Sequence, residues 1–127
     1  MVRFCTAINC IDGRVQIPVI KYLQKRFEVE YVDSVTEAAP NLILAGENND
    51  HLVKSILEKV KISINAHDSQ GIAIIGHHDC AGNPALPDKQ ISQIQKAGQL
   101  LSDRFKNKKV IGLWIDENWQ VHEVFNQ

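Results

Sequence analysis

The sequence predicts a three-layer α/β domain: a mostly parallel five-stranded sheet of order 2-1-3-4-5, its last strand antiparallel, flanked by helices. Three observations carry that expectation. Apolar, strand-like runs alternate with helical stripes in the order βα-βα(α)-βα-ββ, the pattern of an α/β fold. The run Ile72-Ala73-Ile74-Ile75 is continuously apolar, as suits a central strand covered on both faces. Asp116-Glu117-Asn118 alone separates the last two strand-like runs, a connection too short for anything but an antiparallel pair.

In chain order, Val2 to about Asn9 mixes β-branched and aromatic residues and reads as the first strand. Cys5 inside it reads as a small buried hydrophobe. Gly13 permits a tight turn, and Pro18 fits the first turn of a helix, where a missing N–H costs nothing. Ile17, Ile20, Leu23 and Phe27 recur at helical spacing, with Lys21, Gln24 and Lys25 turned to water. Val29 to Val32 predicts a second strand. Ser34 to Glu37 has capping-box spacing for a brief helical turn that Pro40 ends. Periodicity leaves 41–45 ambiguous, a buried connector, and Gly46 to Asp50 reads as a loop rich in cap formers.

Leu52, Val53, Ile56, Leu57, Val60 and Ile64 trace one face of a long helix. Gly71 opens the third strand. Asn83 to Pro87 is turn-rich, and Ile91, Ile94, Leu101 and Phe105 line one side of the next helix, where Gly98 on the same stripe predicts a close helix contact. Val110 to Ile115 and Trp119 to Phe125 complete the sheet. Right-handed crossovers place the first and third strands side by side, with the chain leaving them in opposite directions.

At 127 residues the chain has room for one core, so residues 1–127 read as a single domain. An apolar fraction of 44% and a net charge of −1 fit a globular protein. No basic stretch is dense enough to track phosphates, which argues against nucleic acid. No apolar run approaches the roughly 20 residues that span a bilayer, and the N-terminus lacks the pattern of a secretory leader. The expected location is cytoplasmic. Three cysteines, an odd number, argue against a disulfide framework and for metal binding or a reactive thiol.

Two polar stretches follow strand-like runs: Cys10-Ile11-Asp12-Gly13-Arg14 and Gly76-His77-His78-Asp79-Cys80-Ala81-Gly82. The predicted strand order sets them face to face at the switch point, the rim where open parallel sheets bind ligands. His77 and Cys80, spaced His-x-x-Cys on a turn, can converge on one ion, and Cys10 supplies a third donor from the neighbouring strand. Two thiols and an imidazole suit zinc, and three protein ligands with one exchangeable position is the catalytic pattern. Asp12 can close that position as a fourth ligand or accept a hydrogen bond from a metal-bound water. Arg14 can hold the carboxylate in a two-pronged fork and keep it ionised. Two thiolates cancel the charge of Zn²⁺, so an ionised carboxylate beside this donor set has a mechanistic use. Asp79 or a backbone carbonyl can take the other His77 N–H. His78 reads as a solvent-facing neighbour, His51, His67 and His122 as surface or helix residues, and Trp114 and Trp119 as core and edge packing.

At these residues the chain resembles the β-class carbonic anhydrases, which carry Cys-x-Asp-x-Arg after the first strand and Gly-His-x-x-Cys-(Gly/Ala)-Gly after the third. The resemblance runs over most of the chain in element order. It implies zinc on Cys10, His77 and Cys80, a gating dyad of Asp12 and Arg14, and reversible hydration of CO₂ to bicarbonate by zinc-bound hydroxide. The family's Arg-x-Ala-Gly-Asn-like segment after the second strand has no match in Asp33-Ser34-Val35-Thr36-Glu37.

Two other functions fit the same residues: hydrolysis of a related heteroallene such as CS₂ or COS, and a non-catalytic zinc domain that Asp12 keeps closed. A cysteine nucleophile built on Cys10 and His77 lacks an orienting third group. A site on the strand rim of so small a domain has few walls of its own, which predicts a homodimer or higher homo-oligomer.

Overall fold

The computed structural model describes residues 2–46 and 50–127. Five strands, β1 (Phe4–Cys10), β2 (Tyr31–Glu37), β3 (Gly71–His77), β4 (Lys109–Ile115) and β5 (Val121–Asn126), form one sheet of order β2-β1-β3-β4-β5. The first four are parallel and β5 pairs antiparallel with β4. The helices are α1 (Gln16–Arg26), α2 (Pro40–Ala45), α3 (Asp50–His67) and α4 (Pro87–Arg104). Fold class and strand order are those the sequence predicts.

Alternation along the strands builds two cores, because successive side chains point to opposite faces. On one face, Cys5, Ala7, Ala73, Ile75, Ile111 and Leu113 meet Val15, Val19 and Leu23 at α1. On the other, Ile8, Ile72, Ile74 and Val110 meet Ile56, Leu57 and Val60 of α3 and Ile94, Ala97 and Leu101 of α4. β3 is buried at every position. Among the described residues no helix is long and apolar enough to cross a membrane.

The structure differs from the sequence reading in places that share a cause. Ser34–Glu37 is no helical turn: it continues β2, in register with β1 from Phe4↔Tyr31 to Cys10↔Glu37. Pairing with a central strand outweighs a local capping pattern. Asp33 also ties this edge strand to α3 by accepting from Ser63 and meeting His67 Nδ1, both at 2.7 Å. Pro40 begins α2 rather than ending a helix, and the ambiguous segment 41–45 is that helix.

In α1 the buried residues are Val19 and Leu23, continuing from Val15 in the turn before it, while Ile17 is 64% exposed. Gly13 lies in a 3-10 turn (Gly13–Val15) that needs no left-handed backbone. The close approach at Gly98 is to β5, not a helix, since a Cβ there would lie 2.5 Å from the Phe125 ring. The loop predicted at Gly46 to Asp50 lies, at 47–49, outside the described residues.

Candidate metal centre

β1 and β3 are direct neighbours, with Ile8 level with Ile74, so the residues at their C-terminal ends emerge together. Cys10 is the last residue of β1, His77 the last of β3, and Cys80 lies three residues on, in a turn closed by Asn83 N–H donating to the Cys80 carbonyl at 3.1 Å. All three are buried, and their Sγ, imidazole N and Sγ atoms lie within 4.8 Å of one another. The two sulfurs are 3.9 Å apart. Two thiolates bound tetrahedrally at about 2.3 Å would stand roughly 3.8 Å apart, so the donor spacing fits zinc.

The orientation of His77 fits as well. Its Nδ1 lies 2.7 Å from the His78 carbonyl, a contact that requires the proton on Nδ1 and leaves the Nε2 lone pair free. Nε2 is the one buried side-chain nitrogen or oxygen among the described residues with no hydrogen-bond partner. Buried polar atoms are nearly always paired, so an unpaired lone pair facing two thiols marks a place for a ligand.

Burial pushes the Cys10 thiol up, but the adjacent His77 imidazole and backbone groups of Ala39 and Asp12 outweigh it and bring the thiol down to about 7. Burial and the neighbouring Cys10 push Cys80 up. Cys5, in the core of β1, is pushed up to about 12 by burial and by Asp33. It stands apart from this chemistry, as a buried hydrophobe should.

Asp12 stands beside the cluster and outside it. Its Oδ1 accepts from the Arg14 backbone N–H at 2.9 Å and from Nε at 3.0 Å, and its Oδ2 accepts from Nη2 at 2.7 Å. These bonds hold the carboxyl at about 2, below its ordinary 3.8. Oδ2 is also 4.0 Å from His77 Nε2. Gln16, at the start of α1, fixes this turn by donating from Nε2 to the carbonyls of Cys10 and Asp12, both at 2.8 Å. Arg14 donates further to Asp79 Oδ2 at 3.2 Å and to the Asp79 carbonyl at 3.1 Å, and its Cζ lies 4.5 Å over the Trp119 ring.

Behind the His77 turn lies a buried amide cluster. Gln90 Nε2 donates to the carbonyls of His77 at 2.9 Å and Asn83 at 3.2 Å, Asn41 Nδ2 donates to Gln90 Oε1 at 3.1 Å, and Asn83 Nδ2 donates to Gln93 Oε1 at 2.7 Å. Asn41 packs so close to Gly76 that a Cβ there would lie 2.7 Å from its Nδ2.

A cleft of about 350 Å³ opens beside Cys80, lined by His78, Asp79, Asn83, Leu86 and Glu117 among others. A larger hollow of about 440 Å³ between α3 and α4, floored by Val53, Leu57 and Phe105, is remote from this chemistry.

A family model described as "Putative carbonic anhydrase" matches residues 1–125. The chain belongs to the β-carbonic anhydrase family. Its fold is similar to those of solved carbonic anhydrases. A β-carbonic anhydrase isoform from Trichomonas vaginalis aligns over 96% of this chain and 82% of its own, with 18% identity and a TM-score of 0.64. A carbonic anhydrase from Glaciozyma antarctica aligns over 95% and 81%, with 10% identity and a TM-score of 0.67. One of two tetrameric β-carbonic anhydrases from Sordaria macrospora aligns over 99% and 82%, with 11% identity and a TM-score of 0.61. No curated protein matches the sequence.

Within this carbonic anhydrase fold, the sequence-predicted donors Cys10, His77 and Cys80 come together, with Asp12 and Arg14 at their edge. The partner of the His77 N–H is the His78 carbonyl, and Asp79 turns instead to Arg14. Trp119 is more than edge packing, since its ring covers the Arg14 guanidinium. Nothing local in the sequence signals that contact, because the β4–β5 turn meets the β1 turn only in the folded sheet. The amide cluster is equally invisible, spread over Asn41, Asn83, Gln90 and Gln93.

Proposed function

We propose that this carbonic anhydrase family member is a zinc lyase that reversibly hydrates CO₂ to bicarbonate. The observation that carries the reading is the buried, unpartnered Nε2 of His77 beside the two thiols, with Asp12 drawn aside by Arg14. Cys10, His77 and Cys80 would hold the metal. Zinc bound there supplies the Lewis acidity that ionises water near neutral pH.

The chain's own groups do the rest. The His78 carbonyl fixes the tautomer that presents Nε2. Asp12, ionised throughout the working range, offers Oδ2 as the acceptor that orients the attacking water. Arg14 keeps that oxygen turned off the donor cluster and prevents Asp12 from gaining a proton. The cleft beside Cys80 gives a small neutral substrate an approach.

Stopped-flow hydration of CO₂ by the zinc-loaded chain, across roughly pH 6 to 9, tests the reading. Turnover that rises with pH supports the lyase. Zinc-loaded protein inert toward CO₂ but active on CS₂ or COS moves the substrate to a related heteroallene. Zinc-loaded protein inert toward all three leaves a non-catalytic zinc domain, with Asp12 as fourth ligand.

A further inference from the structure

The Arg14 guanidinium is gripped by two residues besides Asp12. Asp79 accepts from Nη1 and Nη2 through its Oδ2 and carbonyl. Trp119 covers one face, with Cζ 4.5 Å from the ring centroid. With the two bonds from Nε and Nη2 to Asp12, all three nitrogens of the fork are engaged.

Both gripping residues sit on left-handed backbone, Asp79 at φ 56° and Trp119 at φ 60°. Asp tolerates that region, but a bulky indole there is strained. A tight turn between β4 and β5 is better served by Gly or Asn, so the turn geometry does not explain the indole. Its contacts do: the ring reaches Arg14 and stands 6.4 Å from His77 and 6.5 Å from His78, centroid to centroid.

We propose that Trp119 is a positioning residue that, with Asp79, locks Arg14 onto Asp12 and so keeps the carboxylate out of the fourth position at the Cys10–His77–Cys80 cluster. The inference rests on the metal reading above. Asp12 Oδ2 already lies 4.0 Å from His77 Nε2, so a small swing of the carboxylate would bring it among the donors, and Arg14 is what opposes the swing. The Arg14 side chain is 46% exposed. An ion pair of that exposure and one cation–π contact are of similar, modest strength, so removing the ring tips the balance several-fold. The β4–β5 turn would thereby set how often the site is open.

The test is transfer of zinc from the full-length, zinc-loaded chain to a chromogenic chelator, followed by absorbance. Trp119→Ala is expected to release zinc several-fold more slowly than wild type, because Asp12 becomes a fourth protein ligand. Trp119→Phe keeps a ring over the guanidinium and releases at the wild-type rate. In the Asp12→Asn background, Trp119→Ala makes no difference. A merely structural role predicts the opposite sign, since a loosened site loses metal faster.

Release from Trp119→Ala as fast as wild type or faster, or slow release that survives Asp12→Asn, overturns the inference and leaves the metal reading intact. A wild type that takes up no zinc overturns both. If Trp119→Ala fails to fold, Trp119→Asn, suited to left-handed backbone, carries the same comparison.

Discussion

Arg14 and Asp12 form a two-pronged ion pair, Nε to Oδ1 at 3.0 Å and Nη2 to Oδ2 at 2.7 Å, and Oδ2 stands 4.0 Å from the imidazole nitrogen of His77. The carboxylate is therefore near enough to the Cys10–His77–Cys80 cluster to act on anything bound there, and is held by a partner that keeps it out of the cluster. Asp12→Asn removes the charge and retains the shape. CO₂ hydration is expected to fall about 10²- to 10⁴-fold, the range for losing a positioned proton acceptor, with zinc content unchanged by elemental analysis. Activity within a factor of two of wild type would remove Asp12 from the mechanism.

Gln90 is buried and donates to the carbonyls of His77 and Asn83. Gln90→Leu keeps the bulk but strands both carbonyls. The expected cost is about 2 kcal/mol in urea unfolding, together with roughly tenfold weaker zinc binding, as for other groups that orient a ligand from behind. Unchanged affinity beside lost stability would confine the amide cluster to the core.

Asp12 titrates near 2 instead of 3.8. Burial opposes ionisation of Glu123, but hydrogen bonds from Arg26 at 2.9 Å and Tyr22 at 3.1 Å hold its carboxyl below the ordinary 4.5. Folded values below unfolded ones mean that these pairs contribute fully above about pH 5 and lose their contribution as pH falls through the folded values. Urea midpoints should therefore drop progressively from about pH 5 to about pH 2. Glu123→Gln should cost about 1 kcal/mol at neutral pH and shrink the acid-side drop; an unchanged drop would show that Glu123 does not contribute to it.

Ile11, next to Cys10, is 64% exposed, and Leu86, at the cleft beside Cys80, is 78% exposed. Apolar groups left open at a site rim fit burial by a second copy. Sedimentation at micromolar concentration should show a dimer or larger assembly, and Leu86→Asp should shift it toward monomer. A fully active monomeric wild type would show that one chain completes the site.

The sheet order and the three donors were legible because they rest on features local in sequence: a continuous apolar run for β3, a short polar turn before β5, and polar residues at two strand ends. That turn runs over residues 116–120, so Trp119, expected to open the last strand, lies in the turn and β5 begins at Val121. Ser34–Glu37 misled because its capping pattern is local, whereas its pairing with β1 is not. The phase of α1 was misplaced for a related reason. Ile17 and Val19 are equally apolar, and only the position of the β1 turn decides that Val19 faces the sheet. Asp79 and Trp119 were unreadable as Arg14 holders because those contacts span 65 and 105 positions of chain.

Removing zinc should destabilise the protein, because the unfolded chain scatters three donors that the fold gathers within 4.8 Å. Binding that favours the folded state stabilises it by about 2.7 kcal/mol when free zinc is a hundredfold above Kd. For a chain of this length that corresponds to roughly 10 °C in Tm. Chelated protein should melt lower by about that much and recover on adding one equivalent of zinc per chain. Cys80→Ala should bind weakly and show little recovery, whereas Cys5→Ala should respond like wild type, since Cys5 lies in the core apart from the cluster. Equal Tm values with and without zinc in the wild type would mean that the gathered thiols and imidazole hold no metal, and the lyase reading would fall with them.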